Sequence, residues 1–212
     1  MSDKHITSSK EPMALDLLRR SDRDREQHGD RIPPGQKVTE RWPIFTYGST
    51  PRIDLKEWKF IVAGAVEEEM AFTWEELNAL PQIAVVTDVH CVTGWTKLDN
   101  EWRGVPFREM ARLVQPKPEA QHVMAHCYGG YTTNIPLADL MRDDVLLAHT
   151  HNGQPLAPEH GGPLRLVIPH LYFWKSAKWL RGLLFIPDER PGFWEQYGYH
   201  IRGDPWKEER YS

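Results

Sequence analysis

From Val38 onward, the chain consists of short apolar runs that are separated by proline and glycine. Its 212 residues include 17 prolines, 15 glycines and 9 tryptophans. Proline and glycine end regular elements, and aromatic side chains are typical of strands and of large packing groups. The short strand and helix patterns are interleaved without a regular alternation. The sequence therefore predicts an α+β domain of mixed sheets with short helices.

The length of the chain favours a single domain. A chain of 212 residues can bury one substantial core but is short for two. We expect residues 1–36 to form a charged N-terminal arm, either a peripheral helix or a partly mobile tail. Residues 37–212 then form one domain that ends in an aromatic segment.

Charge and hydropathy exclude several classes of protein. The formal net charge of -4 gives no positive field that would attract a phosphate backbone, so we expect no nucleic-acid partner. The longest apolar runs are too short to span a bilayer. The pair Arg19-Arg20 resembles the start of a twin-arginine export signal, but charged residues follow it where an apolar stretch is required. We therefore expect a cytoplasmic protein without a membrane span.

Local signals predict the main elements. Thr73 and Glu76 form a candidate capping box at the start of a helix, which Pro81 ends. An apolar strand presents Cys91 at its end, and a later strand presents Cys127 in a similar way. The predicted strands cover residues 58–64, 70–72, 83–89, 122–126, 145–150, 164–168 and 179–186, with helices at 107–114 and 137–141 and a Gly/Pro-rich loop at 152–163.

Cys91 is the first candidate for chemistry, because it follows an apolar strand and precedes Gly94, which permits a tight turn. An inert core thiol is the alternative. Neighbouring histidines suggest zinc, but adjacent strand residues such as His90 and Cys91 point to opposite faces, so one ion cannot readily bind both. A metal-free cysteine hydrolase or transferase also stays open, although no oxyanion-hole motif surrounds either cysteine.

A second candidate region contains cations, a hydroxyl group and glycines close together. It comprises Asn152-Gly153-Gln154-Pro155-Leu156, His160-Gly161-Gly162-Pro163-Leu164-Arg165 and Lys175-Ser176-Ala177-Lys178-Trp179. An arginine fork, a lysine charge and neutral donors are the groups that bind a phosphate or a polar heterocycle. The alternative is that the cations form a solvated rim.

Together, these motifs resemble a known family. His-Cys-Val-Thr-Gly-Trp at residues 90–95, Trp-Arg-Gly-Val-Pro at 102–106 and the three later motifs resemble the molybdopterin-binding domain of sulfite oxidases, in the same order and with similar spacing. The stand-alone bacterial relatives, which include the catalytic subunit of the periplasmic methionine sulfoxide reductase, are closer still. The resemblance covers roughly residues 38–186.

The resemblance implies a sulfite-oxidase-type fold and a molybdenum atom that is held by the dithiolene of a molybdopterin and by one cysteine thiolate. Cys91 matches that metal ligand. The positions that match cofactor-contacting residues are Thr46 and Tyr47 in an N-terminal loop, His160 and Arg165 at the pterin, and Ser176, Ala177 and Lys178 at its phosphate end. Cys127 matches a small residue that touches the cofactor, or it is an ordinary core thiol.

The resemblance also implies a two-electron oxygen-atom transfer with a small oxygen donor or acceptor, such as a sulfoxide, another oxide or a sulfite-like anion. The run from Val92 to Trp95 is neutral where sulfite oxidase carries charge, which argues against sulfite. Electrons would pass to or from a separate partner. His149 and His151 share one face of a strand and are candidate catalytic residues at the substrate pocket. A non-catalytic molybdopterin carrier is the remaining alternative.

Overall fold

The computed structural model describes the backbone of residues 11–212 and the side chains of residues 19–212. Residues 1–10 of the predicted arm lie outside this range. Residues 11–212 contain four α-helices, α1 Glu11–His28, α2 Trp74–Ala79, α3 Phe107–Val114 and α4 Leu137–Leu140. Eleven strands follow the order β1 Lys37–Val38, β2 Phe60–Gly64, β3 Met70–Phe72, β4 Ile83–Cys91, β5 Trp95–Pro106, β6 His122–Cys127, β7 Thr132–Pro136, β8 Leu146–His151, β9 Gln154–Pro155, β10 Arg165–Val167 and β11 Leu180–Ile186.

The strands form two mixed sheets. The first sheet is built around β5, which pairs antiparallel with β4 and β8 and parallel with β1, while β8 also pairs with β9 and β10. The second sheet has the order β3-β2-β11-β6-β7, in which only the pairing of β2 with β11 is parallel. The predicted α+β class with mixed sheets is therefore confirmed.

Several predicted local structures are also present. Strands β2 and β3 pair as the predicted hairpin. At the start of α2, the backbone N–H of Glu76 donates to Thr73 Oγ1, and the Glu76 carboxylate accepts from the backbone N–H of Thr73. This reciprocal pair is the predicted capping box. Strand β4 extends two residues further than predicted, so that Cys91 is its last residue.

The long strand β5 was not predicted, although it spans 12 residues. Its middle contains Lys97, Asp99, Asn100 and Glu101, which have low strand propensity. Pairing with β4 along one edge and with β8 along the other supplies the hydrogen bonds that override this propensity. Gly104 is required where β5 and β8 meet, because a Cβ atom there would lie 2.0 Å from the backbone oxygen of Leu147.

Two apolar clusters fill the protein. The larger cluster lies between the second sheet and α3, with Phe107 stacked on Phe185 at a ring distance of 6.1 Å. The smaller cluster lies on the first sheet and includes Cys91, Trp95 and Trp102. Cys91 therefore lies in the smaller cluster, which packs on the first sheet.

The described part of the N-terminal arm packs on the domain. Asp24 of α1 accepts a hydrogen bond from the backbone N–H of Val38 at 2.7 Å, and Arg31 pairs with Asp88. Ile32 is buried in the same region. Within residues 11–212, no helix combines the length and the apolar character that crossing a membrane requires.

Candidate active site

Cys91 ends β4 at a tight turn. The backbone N–H of Gly94 donates to the Cys91 carbonyl at 2.9 Å, and Gly94 has a φ of 92°, which favours glycine. The turn leads directly into β5, whose Trp95 pairs with Cys91 across the ladder. This geometry places the Cys91 side chain at the wall of a cavity.

The cavity has a volume of about 350 Å³. That volume falls in the range of small-molecule and cofactor sites. Half of the side chains around it are aromatic, and they come from both ends of the described chain. The lining residues are Trp42, Pro43, Phe45, Thr46, Tyr47, Cys91, Val92, Thr93, Trp95, Tyr131, His160, Arg165, Phe173, Trp174, Ser176, Ala177, Lys178, Trp179, Trp194 and Tyr199.

Most of the predicted site residues meet in this cavity. Cys91 lies in its wall with both residues of the predicted N-terminal loop, both residues of the predicted pterin contact and all three residues of the predicted phosphate contact. These residues are far apart in the sequence, so the fold brings them together. The exceptions are Cys127, His149 and His151, which are not among the lining residues.

Arg165 is a buried cation at this cavity, with 2% of its surface exposed. Its guanidinium donates to the backbone oxygens of His160 and Ser176, each at 2.7 Å. It also lies 4.2 Å from the ring centre of Phe173. Burial lowers the pKa of Arg165 to about 9. No carboxylate among residues 19–212 forms an ion pair with it, so its positive charge is not compensated by the protein.

Lys178 is the second cation of the cavity. Its ammonium donates to the backbone oxygens of Phe45 and Glu159, at 2.8 and 2.9 Å. Burial and the positive charge of Arg165 lower the pKa of Lys178 to about 8. The contact with Phe45 also fixes the loop that carries Thr46 and Tyr47 at the cavity.

Ser176 and Ala177 accept hydrogen bonds from the backbone of β10 and of the residue that follows it. Ser176 Oγ accepts a hydrogen bond from the backbone N–H of Ile168 at 2.9 Å. The Ala177 carbonyl accepts one from the backbone N–H of Leu166. Both residues are buried, so the segment is held rigidly against β10.

The Cys91 thiol has one hydrogen-bonding partner, the hydroxyl of Thr93, at 3.2 Å. Burial raises the pKa of Cys91, whereas the hydrogen bond with Thr93 and the charge of Arg210 lower it. A buried thiol with a raised pKa is a weak nucleophile by itself. Binding of a metal cation favours the thiolate form of such a group.

His90 lies on the opposite side of β4 from the cavity. Its Nδ1 atom lies 2.9 Å from Thr96 Oγ1, and its ring contacts Trp206 edge-on at 4.9 Å. It cannot act as a base for Cys91. The cysteine–histidine pair of a hydrolase is therefore not formed by these neighbours, and no group of three metal-ligating side chains exists within the described residues.

The structure places both candidate catalytic histidines in the first sheet. His149 lies 2.7 Å from Gln82 through its Nε2 atom. His151 lies 3.1 Å from the Asn100 side-chain oxygen, and burial lowers its pKa to about 4. Each imidazole thus has a hydrogen-bonding partner within the protein, and neither lines the cavity. Their catalytic role stays a prediction.

Cys127 belongs to the larger apolar cluster. Burial raises its pKa to about 12, and it lies close enough to Arg165 for the two charges to interact. It is thus buried next to a cavity residue without lining the cavity itself. This position agrees with a buried neighbour of the site and also with a core thiol.

Sequence reasoning missed most of the aromatic wall. Trp42 stacks on His160, and Phe173 lies below the Arg165 guanidinium. Trp174 and Trp194 come from segments that show no regular pattern. Two signals were present in the sequence, the high number of tryptophans and the aromatic C-terminal segment that contains Trp194 and Tyr199, but neither reveals where the rings converge.

These residues fit the cofactor that the resemblance implies. The buried Arg165 and the half-buried Lys178 form no ion pair with a carboxylate among the described residues, so an anion such as a pterin phosphate would complement their charge. A soft thiolate at the cavity wall is a suitable ligand for a redox-active metal. Aromatic walls suit a flat heterocycle.

Comparison with known proteins gives the same result. The family model described as "Oxidoreductase molybdopterin binding domain" matches residues 47–194. The oxidoreductase YuiH of Bacillus subtilis strain 168, which is named as uncharacterized, is 48% identical over 191 residues, which are 90% of this chain and 96% of YuiH. YedZ1 of Azospira oryzae, which is named as a candidate protein-methionine-sulfoxide reductase subunit, is 32% identical over 81% of this chain and 66% of its own length.

A solved structure has a similar fold. The sulfane dehydrogenase SoxCD from Paracoccus pantotrophus superimposes with a TM-score of 0.60 at 25% identity, over 66% of this chain and 40% of that chain. The predicted sulfite-oxidase-type fold is thereby confirmed. Because the family model matches more than half of the chain, the protein belongs to the oxidoreductase molybdopterin binding domain family.

Proposed function

We propose that the protein is a molybdenum-dependent oxidoreductase that transfers an oxygen atom to or from a small neutral substrate in a two-electron reaction. One observation carries the proposal. Cys91, the predicted metal ligand, lines the same cavity as His160, Arg165 and Lys178. Membership of the family supports a molybdopterin as the bound group.

Four side chains would hold this group. The Cys91 thiolate would bind the molybdenum, since soft ligands suit such metals. Arg165 and Lys178 would supply positive charge to the pterin and its phosphate. His160 would contact the pterin from its place on the Trp42 ring. When bound, the molybdenum–pterin group supplies the two-electron redox chemistry.

The chain itself provides a predominantly apolar space at Cys91. Trp174, Trp194 and Tyr199 line the cavity together with the turn that carries Cys91. Their rings exclude water from the reacting centre and offer contact area to an apolar substituent of the substrate. Tyr131 closes one wall, because its hydroxyl donates to the Trp174 carbonyl at 2.8 Å.

The uncharged turn after Cys91 favours a neutral oxide, such as a sulfoxide, over an oxyanion such as sulfite. Val92, Thr93 and Trp95, which follow Cys91, are neutral. The two cations of the cavity, Arg165 and Lys178, are assigned to the cofactor rather than to the substrate. The name of YedZ1 is in line with a sulfoxide. We propose a separate protein as electron partner, and a cytoplasmic location stays a prediction.

Metal analysis tests the proposal. Protein is purified from a host that makes the pterin and is supplied with molybdate, and molybdenum and fluorescent pterin are measured per chain. We expect near-stoichiometric amounts in the wild type and a loss of metal, or a changed absorption spectrum, in Cys91→Ser. Cys127→Ala is the matched cysteine control and should keep both. A folded wild type without molybdenum and pterin would overturn the proposal.

Turnover separates an enzyme from a carrier. We expect the loaded wild-type protein to oxidise a reduced dye when dimethyl sulfoxide is added, with two electrons from the dye reducing each sulfoxide to sulfide and water. We expect sulfite to give little reduction of an acceptor dye. Strong activity with sulfite would contradict the proposed substrate class. A loaded protein whose cofactor cannot be reduced and reoxidised would instead be a molybdopterin carrier.

A further inference from the structure

Two residues outside the family match contact the turn that carries Cys91. The Gln36 side-chain amide donates to the Cys91 carbonyl at 3.1 Å. The Arg210 guanidinium donates to the carbonyl of Val92, the next residue. The family model matches residues 47–194, so neither contact belongs to the matched region. Segments from opposite ends of the described chain therefore meet at the predicted metal ligand.

The N-terminal segment lies directly on this turn. Gln36 is completely buried, and the backbone N–H of Lys37 donates to the Gly94 carbonyl at 3.2 Å. A Cβ atom on Gly94 would lie 3.4 Å from the backbone oxygen of Gly35. Two hydrogen bonds and a close backbone contact thus fix the turn from one side.

Arg210 fixes the turn from the other side. Its carbonyl accepts from the backbone N–H of His200, and its guanidinium lies 5.4 Å from the ring centre of Tyr172. A Cβ atom on Gly35 would lie 3.1 Å from Arg210 Nη2, so the arginine side chain packs against the N-terminal segment. Arg210 also brings a positive charge close to Cys91.

We propose that Gln36 and Arg210 are positioning residues, which fix the turn from Cys91 to Gly94 and thereby aim the Cys91 thiolate at the metal. Neither residue needs to touch the cofactor. Hydrogen bonds to the carbonyls of Cys91 and Val92 restrain the backbone of the turn, and this backbone sets the position and the direction of the Cα–Cβ bond that carries the thiolate. The proposal rests on the proposed function for the identity of the metal, but the fixing of the turn can be measured without it.

The first experiment measures hydrogen exchange by mass spectrometry in peptides that cover residues 91–95 of the full-length protein as purified. The variants are Gln36→Leu, Arg210→Met and Arg210→Lys. Lys207→Met is the matched control, because Lys207 is an exposed cation of the same C-terminal segment. We expect exchange about fivefold to tenfold faster in Gln36→Leu and Arg210→Met, as for the loss of one hydrogen bond. Arg210→Lys should restore part of the protection. Lys207→Met should not change it.

The second experiment measures molybdenum per chain and the visible absorption of the loaded protein. We expect Gln36→Leu and Arg210→Met to lose at least half of the molybdenum or to shift the thiolate-to-metal absorption, with partial rescue in Arg210→Lys. A variant that is unfolded would show no thermal transition. In that case the molybdenum content and the absorption spectrum of Arg210→Lys decide the result. Unchanged exchange and an unchanged spectrum in both variants would overturn the proposal. A wild type without molybdenum would instead overturn the proposed function, and hydrogen exchange would still test the turn.

Discussion

His160 stacks face to face on Trp42, with ring centres 3.8 Å apart and an angle of 13° between the ring planes. Trp42 also contacts His151, whose ring centre lies 4.4 Å away. One indole therefore connects a histidine of the cavity wall with a histidine of the first sheet. The orientation of His160 at the cavity depends on this tryptophan.

Trp42→Leu should weaken cofactor retention, because His160 loses its stacking partner while the cavity keeps an apolar wall. A stacked pair contributes about 0.5–1.5 kcal/mol, so we expect release of the pterin to become roughly twofold to tenfold faster. Pterin fluorescence in the filtrate during dialysis measures this release. Trp42→Phe keeps an aromatic face and should lie close to the wild type. Equal release from all three proteins would show that the stack does not hold the cofactor.

Glu195→Gln should destabilise the protein strongly. Lys175 is completely buried, and its ammonium donates to Glu195 and to Asn134. Removal of the negative partner leaves a buried charge, which typically costs about 3–5 kcal/mol of unfolding free energy. Urea denaturation measures the change. Glu119→Gln, a change at an exposed glutamate away from this pair, is the control and should have little effect.

A double variant tests the same pair further. Lys175→Met combined with Glu195→Leu removes both charges, so it should be more stable than Glu195→Gln alone. If the double variant is no more stable than the single one, packing around the pair rather than its charge would dominate.

His90 should make the stability fall as the pH decreases. Burial lowers the pKa of His90 from 6.5 to about 4, so between these values the unfolded chain binds a proton that the folded protein does not. The contribution of His90 to the free energy of unfolding is fully present above pH 6.5. It is lost as the pH falls towards 4, at up to about 1.4 kcal/mol per pH unit. Urea denaturation at pH 7, 6 and 5 measures this slope, and His90→Asn should reduce it. An unchanged slope in that variant would assign the effect to other groups.

Thr73→Ala should remove the capping box at the start of α2. The backbone N–H of Glu76 loses its acceptor, Thr73 Oγ1, and such a loss typically costs about 1 kcal/mol. Chemical denaturation measures this change. Thr73→Ser retains the hydroxyl and should be nearly as stable as the wild type. If serine costs as much as alanine, the methyl group rather than the cap would be responsible.

The fold could be predicted where local chemistry decides it. The capping box at Thr73 and the hairpin of β2 and β3 depend on neighbouring residues, and both are present. Strand β5 could not be predicted, because its polar middle becomes a strand only through partners on both edges. A local sequence pattern does not indicate which distant strands pair with each other.

The same limit applies to the site. The predicted residues that meet in the cavity, from Thr46 to Lys178, were indicated by the resemblance to the molybdopterin-binding family. His149 and His151 were selected because they occupy alternate positions along a strand. This spacing shows that they share one face of the sheet, but it does not show which residues pack on that face. In the structure these histidines contact Gln82, Asn100 and Trp42 and are not among the residues that line the cavity, and their catalytic role stays a prediction.

The contact between Arg210 and Val92 spans 118 positions of the chain. During synthesis, Cys91 leaves the ribosome long before Arg210 does, and domains fold as their segments emerge. The turn at Cys91 can therefore reach its final conformation only after residue 210 has been made. We expect a nascent chain to present an incompletely formed ligand site, so that insertion of the cofactor becomes a late step that follows the synthesis of residue 210.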